Sequence, residues 1–238
     1  MSAARALGFD GLNITHPCKQ LVIPVLDELA PEARAVGAVN TVVFRDGRAE
    51  GHNTDVSGFE KSFARGLATA GTDLVVQIGA GGAGAAVANA LLDLGTERLV
   101  IVDLDERRAE TLTESLATRF DPARLQHATR DALPTLLADA DGVVNTTPVG
   151  MEAHPGSAVP TELLRPELWV ADIVYRPLRT QLVRDAAAAG CAVLTGAGMA
   201  VFQAADAFEL ITGHAAEPER MFADFDDLIA REAELGAS

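Results

Sequence analysis

Leu74-Val75-Val76-Gln77-Ile78-Gly79-Ala80-Gly81-Gly82-Ala83-Gly84 is the stretch whose reading decides the fold. Its first five residues form an apolar run of strand length. The next six fit G-x-G-x-x-G, and an alanine-rich helical stretch follows over residues 83–94, ending near Gly95. The glycine pattern alone is weak; between a strand and a helix it has a physical meaning. Glycines let the backbone turn tightly and come close to a pyrophosphate, and the helix N-terminus offers N–H groups and a positive dipole end. A purely structural glycine turn is the competing reading. Gly79, Ala80, Gly81, Gly82, Ala83 and Gly84 are therefore candidate dinucleotide-binding residues.

Working outward, the next apolar run covers residues 99–102 and ends at Asp103, 24 residues after Gly79. A carboxylate there accepts hydrogen bonds from the adenosine ribose and repels a 2′-phosphate, so it points to NAD rather than NADP. Asp105 adds charge of the same sign. Arg107 and Arg108 pull the other way, since an arginine nearby can hold a 2′-phosphate; a solvated helix face explains them equally well. Arg108 stays in the cofactor-binding set. A helix is expected over residues 106–118, further strands over 142–145, 169–174 and 192–194, and a helix over 180–189. Apolar strands separated by helices imply a parallel sheet covered on both faces.

The expected fold is thus α/β: a Rossmann-type, doubly wound parallel sheet of six strands, order 3-2-1-4-5-6, over residues 72–198. Residues 1–71 with 199–238 should form a smaller α/β substrate domain. In it, residues 11–15 read as a strand and 21–29 as helical. Residues 39–44 and 49–52 flank Asp46-Gly47, a hairpin signal. Helices over 202–211 and 218–235 should pack back against this first segment.

Composition bounds the partners. The chain has 238 residues, 48% hydrophobic and 22% charged, with a formal net charge of −15. That balance is ordinary for a globular protein, and the charge argues against nucleic acid and anionic membranes. It leaves room for a small anionic substrate. The apolar runs are too short to cross a membrane. Cys18 and Cys191, far apart, make a disulfide framework improbable and a reduced cytoplasm the default; each is expected to be a buried small hydrophobe. The five histidines are scattered and show no metal-ligand spacing, so no metal is expected.

Polar residues gather ahead of the glycine run. Asn13-Ile14-Thr15-His16-Pro17-Cys18-Lys19 follows one strand, Asn53-Thr54-Asp55 follows another, and Asn40 lies between them in sequence. Amides and hydroxyls can read a hydroxyl-rich substrate, and a Lys–Asp pair can move a hydroxyl proton while hydride leaves the same carbon. On spacing alone, Asx and Ser/Thr turns plus a surface lysine explain the same residues.

These motifs resemble the shikimate/quinate dehydrogenase family. Asn13–Lys19 matches N-[VI]-T-x-P-x-K, followed by Gly37-Ala38-Val39-Asn40-Thr41 and Asn53-Thr54-Asp55. The likeness continues through the glycine loop, Asn145-Thr146-Thr147-Pro148-Val149-Gly150-Met151, Asp172-Ile173-Val174-Tyr175-Arg176-Pro177, and residues 196–204. The resemblance implies hydride transfer between a nicotinamide cofactor and a ring carbon of shikimate or quinate, as in the shikimate pathway of aromatic amino acid biosynthesis. It implies Lys19 as acid/base with Asp55 as its partner, and Asn13, Thr15, Asn40 and Gln203 on the substrate. Tyr175 would lie near substrate and nicotinamide. Thr147, Val149, Ile173, Gly196 and Met199 would shape the nicotinamide pocket; without the resemblance, Met199 reads as core and Tyr175 as a packing residue.

Asp103-Leu104 departs from the small polar residue and arginine usual in NADP-using members and resembles the NAD-using quinate/shikimate branch. Family members also carry an N-terminal segment with a Ser-x-Ser or Ser-x-Thr motif for the substrate carboxylate. This chain is expected to be N-terminally truncated relative to them, to handle substrate poorly, and to pair an open sheet edge with a second copy as a homodimer. The competing readings are a paralogue acting on a related cyclic polyol or aminated analogue, and a catalytically impaired dinucleotide-binding or interaction module. Methylenetetrahydrofolate dehydrogenases have a similar fold, but the N-T-D and G-M-x-x-x-Q motifs argue against them.

Overall fold

The computed structural model describes residues 1–15 and 17–236; His16 of the first motif lies outside the described residues. Backbone contacts divide the chain into one unit of Met1–Phe59 with Ala200–Ser238 and another of Glu60–Met199. Both divisions fall inside helices, and the first lies upstream of the 71/72 position read from the sequence.

The first unit opens with α1 (Ser2–Ala6), β1 (Gly11–Asn13), α2 (Cys18–Leu21), β2 (Glu28–Leu29), α3 (Pro31–Val36), β3 (Thr41–Arg45) and β4 (Arg48–His52). Its sheet has the order β1-β3-β4-β2, antiparallel except where β2 runs parallel to β4. The β3–β4 hairpin turns through Asp46 and Gly47, both at positive φ, the conformation that matches the twist of the two strands. Helix was expected over residues 21–29. The chain instead makes a short 3-10 turn at Ile23–Val25 and then β2. Pro24 removes an N–H and cannot continue a helix, which explains the break. Val22, Ala33, Val39, Val42 and Ala49 form one core cluster of this unit.

Helix α4 (Asp55–Gly66) leads into the second unit, which contains β5 (Leu74–Ile78), α5 (Gly82–Asp93), β6 (Arg98–Val102), α6 (Glu106–Leu116), β7 (Leu125–Ala128), α7 (Leu133–Asp139), β8 (Gly142–Asn145), β9 (Trp169–Asp172), α8 (Gln181–Ala188) and β10 (Val193–Leu194). All six strands are parallel, in the order β10-β9-β8-β5-β6-β7. This is the doubly wound order expected, with the strand order reversing beside β5. Val76, Ile78, Val100, Val102, Val143 and Val170 pack with Leu133, Leu137 and Leu182 in one core cluster. Strand β7 is not among the runs read from the sequence. Its Leu-Gln-His-Ala carries two exposed polar residues because it is the sheet's edge.

Helix α9 (Gly196–Thr212) returns to the first unit, and α10 (Pro218–Gly236) ends it. Within that unit the Arg45 guanidinium donates to the Leu210 carbonyl at 2.8 Å. A Cβ on Gly11 would lie 2.5 Å from the Ile211 side chain, so glycine is what lets strand and helix meet there. Among the described residues no helix is long and apolar enough to cross a membrane.

Candidate active site

In the first unit the polar motifs converge. Asp55 is the first residue of α4, and its carboxylate is 1% exposed. Lys19, on the single turn of α2, donates from Nζ to Asp55 Oδ2 at 2.6 Å, with its own side chain 20% exposed. Burying a carboxylate this fully requires a cation and further donors. Asn40 supplies one, its Nδ2 donating to Asp55 Oδ1 at 3.0 Å and to Thr54 Oγ1 at 2.9 Å. Asn40 Oδ1 accepts from the Thr54 backbone N–H at 2.9 Å and from the Thr41 hydroxyl at 3.1 Å. Asn53 accepts the Asp55 backbone N–H at 3.0 Å and donates to the Ala38 carbonyl at 3.0 Å. Lys19 is tied in by its carbonyl, which accepts from the Val39 N–H at 2.8 Å.

Helix α9 closes this network. Gln203 Oε1 lies 3.4 Å from Asn40 Nδ2, and the Gln203 carbonyl accepts from the Thr54 hydroxyl at 3.0 Å. Ser57 donates to Asp206 Oδ2 at 2.6 Å. Asn13 and Thr15 are exposed, at the end of β1 and in the turn into α2. Cys18 is exposed rather than buried as expected, because α2 is a one-turn helix with no buried residue. Cys191 is buried, and desolvation raises its thiol's pKa.

In the second unit the candidate cofactor residues lie at the carboxyl ends of the strands. Val102, Ile78, Asn145 and Asp172 stand in register across β6, β5, β8 and β9. The glycine loop leaves β5 at Gly79, whose φ is +111°. A Cβ on Gly84 would sit 2.4 Å from the Gly79 carbonyl oxygen, so loop and helix can be this close only without one. Gly81 caps α5 without a side chain, which leaves the helix's first-turn N–H groups beyond the reach of its own carbonyls. A Cβ on Gly81 would meet nothing within 4 Å. The cradle therefore fits a pyrophosphate in shape and in donor chemistry. Asp103 Oδ2 accepts the Ala80 N–H at 2.8 Å and Oδ1 the Asp105 N–H at 3.0 Å, fixing the carboxylate beside the loop. Asp105 caps α6, whose first turn exposes Arg107 and Arg108.

Beyond β8 and β9 a buried network shapes two loops. Asn145 donates to the Val149 carbonyl at 3.0 Å and to Asp172 Oδ1 at 2.9 Å, and accepts from Thr147 Oγ1 at 2.7 Å. Asp172 also accepts from the Val174 N–H at 3.1 Å and the Thr180 hydroxyl at 2.7 Å. Burial raises its pKa, against these hydrogen bonds, which lower it. Ile173 follows directly; a Cβ on Gly196 would lie 2.5 Å from its carbonyl oxygen. Met199 is buried, and Tyr175 is 44% exposed.

Residues 1–42 match the shikimate dehydrogenase substrate binding domain, and residues 75–152 match the saccharopine dehydrogenase NADP binding domain. A shikimate dehydrogenase (NADP(+)) of Streptomyces avermitilis is 62% identical over 226 residues, 95% of this chain and 78% of the relative. The chain belongs to the shikimate/quinate dehydrogenase family. A quinate/shikimate dehydrogenase (NAD(+)) of Corynebacterium efficiens is 50% identical over 94% of this chain and 80% of its own length. The quinate dehydrogenase from Corynebacterium glutamicum in complex with NAD is the same fold at a TM-score of 0.90, 47% identical, covering 95% of this chain and 80% of that one.

Against the family's motifs, the first unit holds Lys19, Asp55, Asn40 and Gln203 in one hydrogen-bonded group, with Asn13 and Thr15 exposed. Tyr175 belongs to the second unit with Thr147, Val149, Ile173, Gly196 and Met199. Sequence reasoning passed over the residues that hold these groups: Gln77, Thr180, Ser57 and Asp206. Gln77 had a signal, as the one polar residue in an otherwise apolar strand.

Proposed function

We propose that this protein is a dehydrogenase that prefers NAD and moves hydride between the cofactor and a ring hydroxyl or ketone of shikimate or quinate. The observation that carries this reading is the Lys19–Asp55 pair, at 2.6 Å with the carboxylate buried. When bound, the nicotinamide supplies the hydride acceptor or donor. The chain's own groups handle the proton. An ammonium has three donors and Asp55 takes one, so Lys19 Nζ can also reach a substrate oxygen. In reduction Lys19 Nζ gives a proton to the ketone oxygen as it becomes a hydroxyl; in oxidation the proton returns to it. Asp55 stabilises the charged lysine, and Asn40 and Asn53 hold Asp55 in place. Asn13, Thr15, Asn40 and Gln203 are the proposed substrate-binding groups of a substrate domain, with Tyr175 near the nicotinamide.

For the cofactor, residues 79–84 are the proposed pyrophosphate cradle, Asp103 the ribose-binding acid, and Thr147, Val149, Ile173, Gly196 and Met199 the nicotinamide walls. NAD preference rests on Asp103, whose carboxylate is anchored to the loop and would face a 2′-phosphate as a like charge. Relatives named for either dinucleotide exist, so the preference is a property to measure. The test is steady-state reduction of NAD and NADP with shikimate and with quinate. Turnover on neither substrate, with dinucleotide still bound, would reduce the protein to a binding module. Equal or better use of NADP would refute the preference alone.

A further inference from the structure

Gln77 is wholly buried in β5, where every neighbour in the strand is apolar. Its Nε2 donates to the Gly79 carbonyl and to the Gly84 carbonyl, both at 2.9 Å. These are the first and last glycines of the loop. The amide cannot be turned over, since that would set its oxygen against two carbonyl oxygens. The Thr146 hydroxyl lies 2.9 Å from both the Gly79 and the Ile78 carbonyls and shares its one proton between them. Meanwhile Gln77 Oε1 is buried and has no hydrogen-bond partner among the described residues. Leaving a buried acceptor unpaired costs stability, which offsets part of what the two Nε2 hydrogen bonds contribute.

We infer that Gln77 is a positioning residue for the dinucleotide. It draws both ends of the glycine loop onto the sheet by their carbonyls, so that the N–H groups between them face a ligand already ordered. This rests on the reading of residues 79–84 as the pyrophosphate cradle. It assigns Gln77 no contact with the ligand.

The experiment replaces the amide by an apolar chain of similar length, Gln77→Met, in the full chain. NAD or NADP dissociation constants are read by protein fluorescence or calorimetry, with steady-state kinetics and thermal unfolding alongside. Losing two neutral hydrogen bonds that order the loop should raise the dinucleotide Kd about tenfold. The substrate KM at saturating dinucleotide should move less than twofold, and Tm should fall only slightly, because relief of the orphan oxygen offsets part of the two lost hydrogen bonds. A merely structural glutamine lowers Tm and leaves Kd unchanged. That result overturns the inference. Gln77→Leu is the second variant should the first not fold. In the unsubstituted protein, both Nε2 hydrogens should resist solvent exchange; rapid exchange would also overturn it. Gly81→Asp separates the two readings, because its Cβ meets open space and its carboxylate would cap α5 while repelling a pyrophosphate. If Gly81→Asp leaves the dinucleotide Kd unchanged, the cradle itself is misread. If it abolishes binding while Gln77→Met does nothing, only the role of Gln77 fails.

Discussion

Replacing Lys19 by Met should damage the protein twice, and in a ratio that Asp55→Asn does not share. Asp55 is 1% exposed and Lys19 is 20% exposed. Removing the cation leaves a carboxylate deep in the unit; removing the carboxylate leaves a lysine whose stem can carry its charge toward water. Breaking a buried pair from one side typically costs about 3–5 kcal/mol. Asp55 keeps the Asn40 amide at 3.0 Å and is not left bare, so Lys19→Met should fall at the low end of that range, about 3 kcal/mol. Asp55→Asn should cost about 1–2 kcal/mol, since the amide keeps the shape and its oxygen can stay on Asn40, but its NH2 then faces the Lys19 ammonium, which must turn toward water. Activity should not follow the same ratio. Each substitution removes the same proton relay, so each should lower kcat by about 10²–10⁴. The double variant should be little worse than either single one, because groups acting as a unit are not additive. Urea unfolding with a shared m-value gives the stabilities, and kcat and dinucleotide Kd complete the set. Asp55→Asn proving the more destabilising would refute the burial argument. Losses in kcat that multiply would refute the shared relay.

Asp103→Ser removes the charge anchored to Ala80, so the ratio of NADP to NAD dissociation constants should shift toward NADP by at least tenfold; an unchanged ratio would show that Asp103 does not discriminate. Asp172 should make stability pH-dependent. Burial raises its folded pKa above the ordinary carboxylate range, so its contribution is fully present below the unfolded pKa and is lost as pH rises through the folded one. The Tm of the unsubstituted protein minus that of Asp172→Asn should therefore shrink as pH rises from about 4 toward neutrality, and a gap that widens would be the wrong sign. Thr180→Ala loses both the hydroxyl donor to Asp172 and the cap on the Val183 N–H; it should cost about 1–3 kcal/mol in denaturant unfolding, and a neutral result would show that the loop does not depend on this link.

The doubly wound sheet was legible because its strands are covered on both faces and so read as continuous apolar runs, with the glycine loop marking which one comes first. Where that condition lapses, the reading lapsed. Strand β7 is at the edge and exposes Gln126 and His127 in succession, so Leu-Gln-His-Ala shows neither an apolar run nor an alternation. Residues 21–29 have helical spacing, but one proline outweighs periodicity, and the backbone turns into a strand two residues long. The Asp46-Gly47 hairpin was readable because both residues must take positive φ and few pairs of residues do so cheaply.

The candidate site divides along a different line. Lys19, Asp55 and Asn40 sit in short motifs at strand ends, where chemistry-bearing residues are conspicuous. Which of them carry the chemistry and which only support it is written in three dimensions. The family resemblance implies Asn40 as a substrate-binding amide, yet its Nδ2 already serves Thr54 and Asp55 and its Oδ1 serves Thr54 and Thr41. An amide so fully engaged is first a support for the carboxylate, and any substrate contact must share those bonds. Gln77, Thr180 and Ser57 escaped notice for a related reason. Gln77 binds main-chain carbonyls, Thr180 a main-chain N–H and a carboxylate eight residues away, and Ser57 a carboxylate 149 residues away. Carbonyls leave no trace in a sequence, and a pairing across 149 residues has no period to find. The polar residue inside the apolar strand was the one visible sign. A buried amide in a parallel strand needs acceptors for its N–H groups, and Gln77 Nε2 finds them in the loop proposed to hold the cofactor.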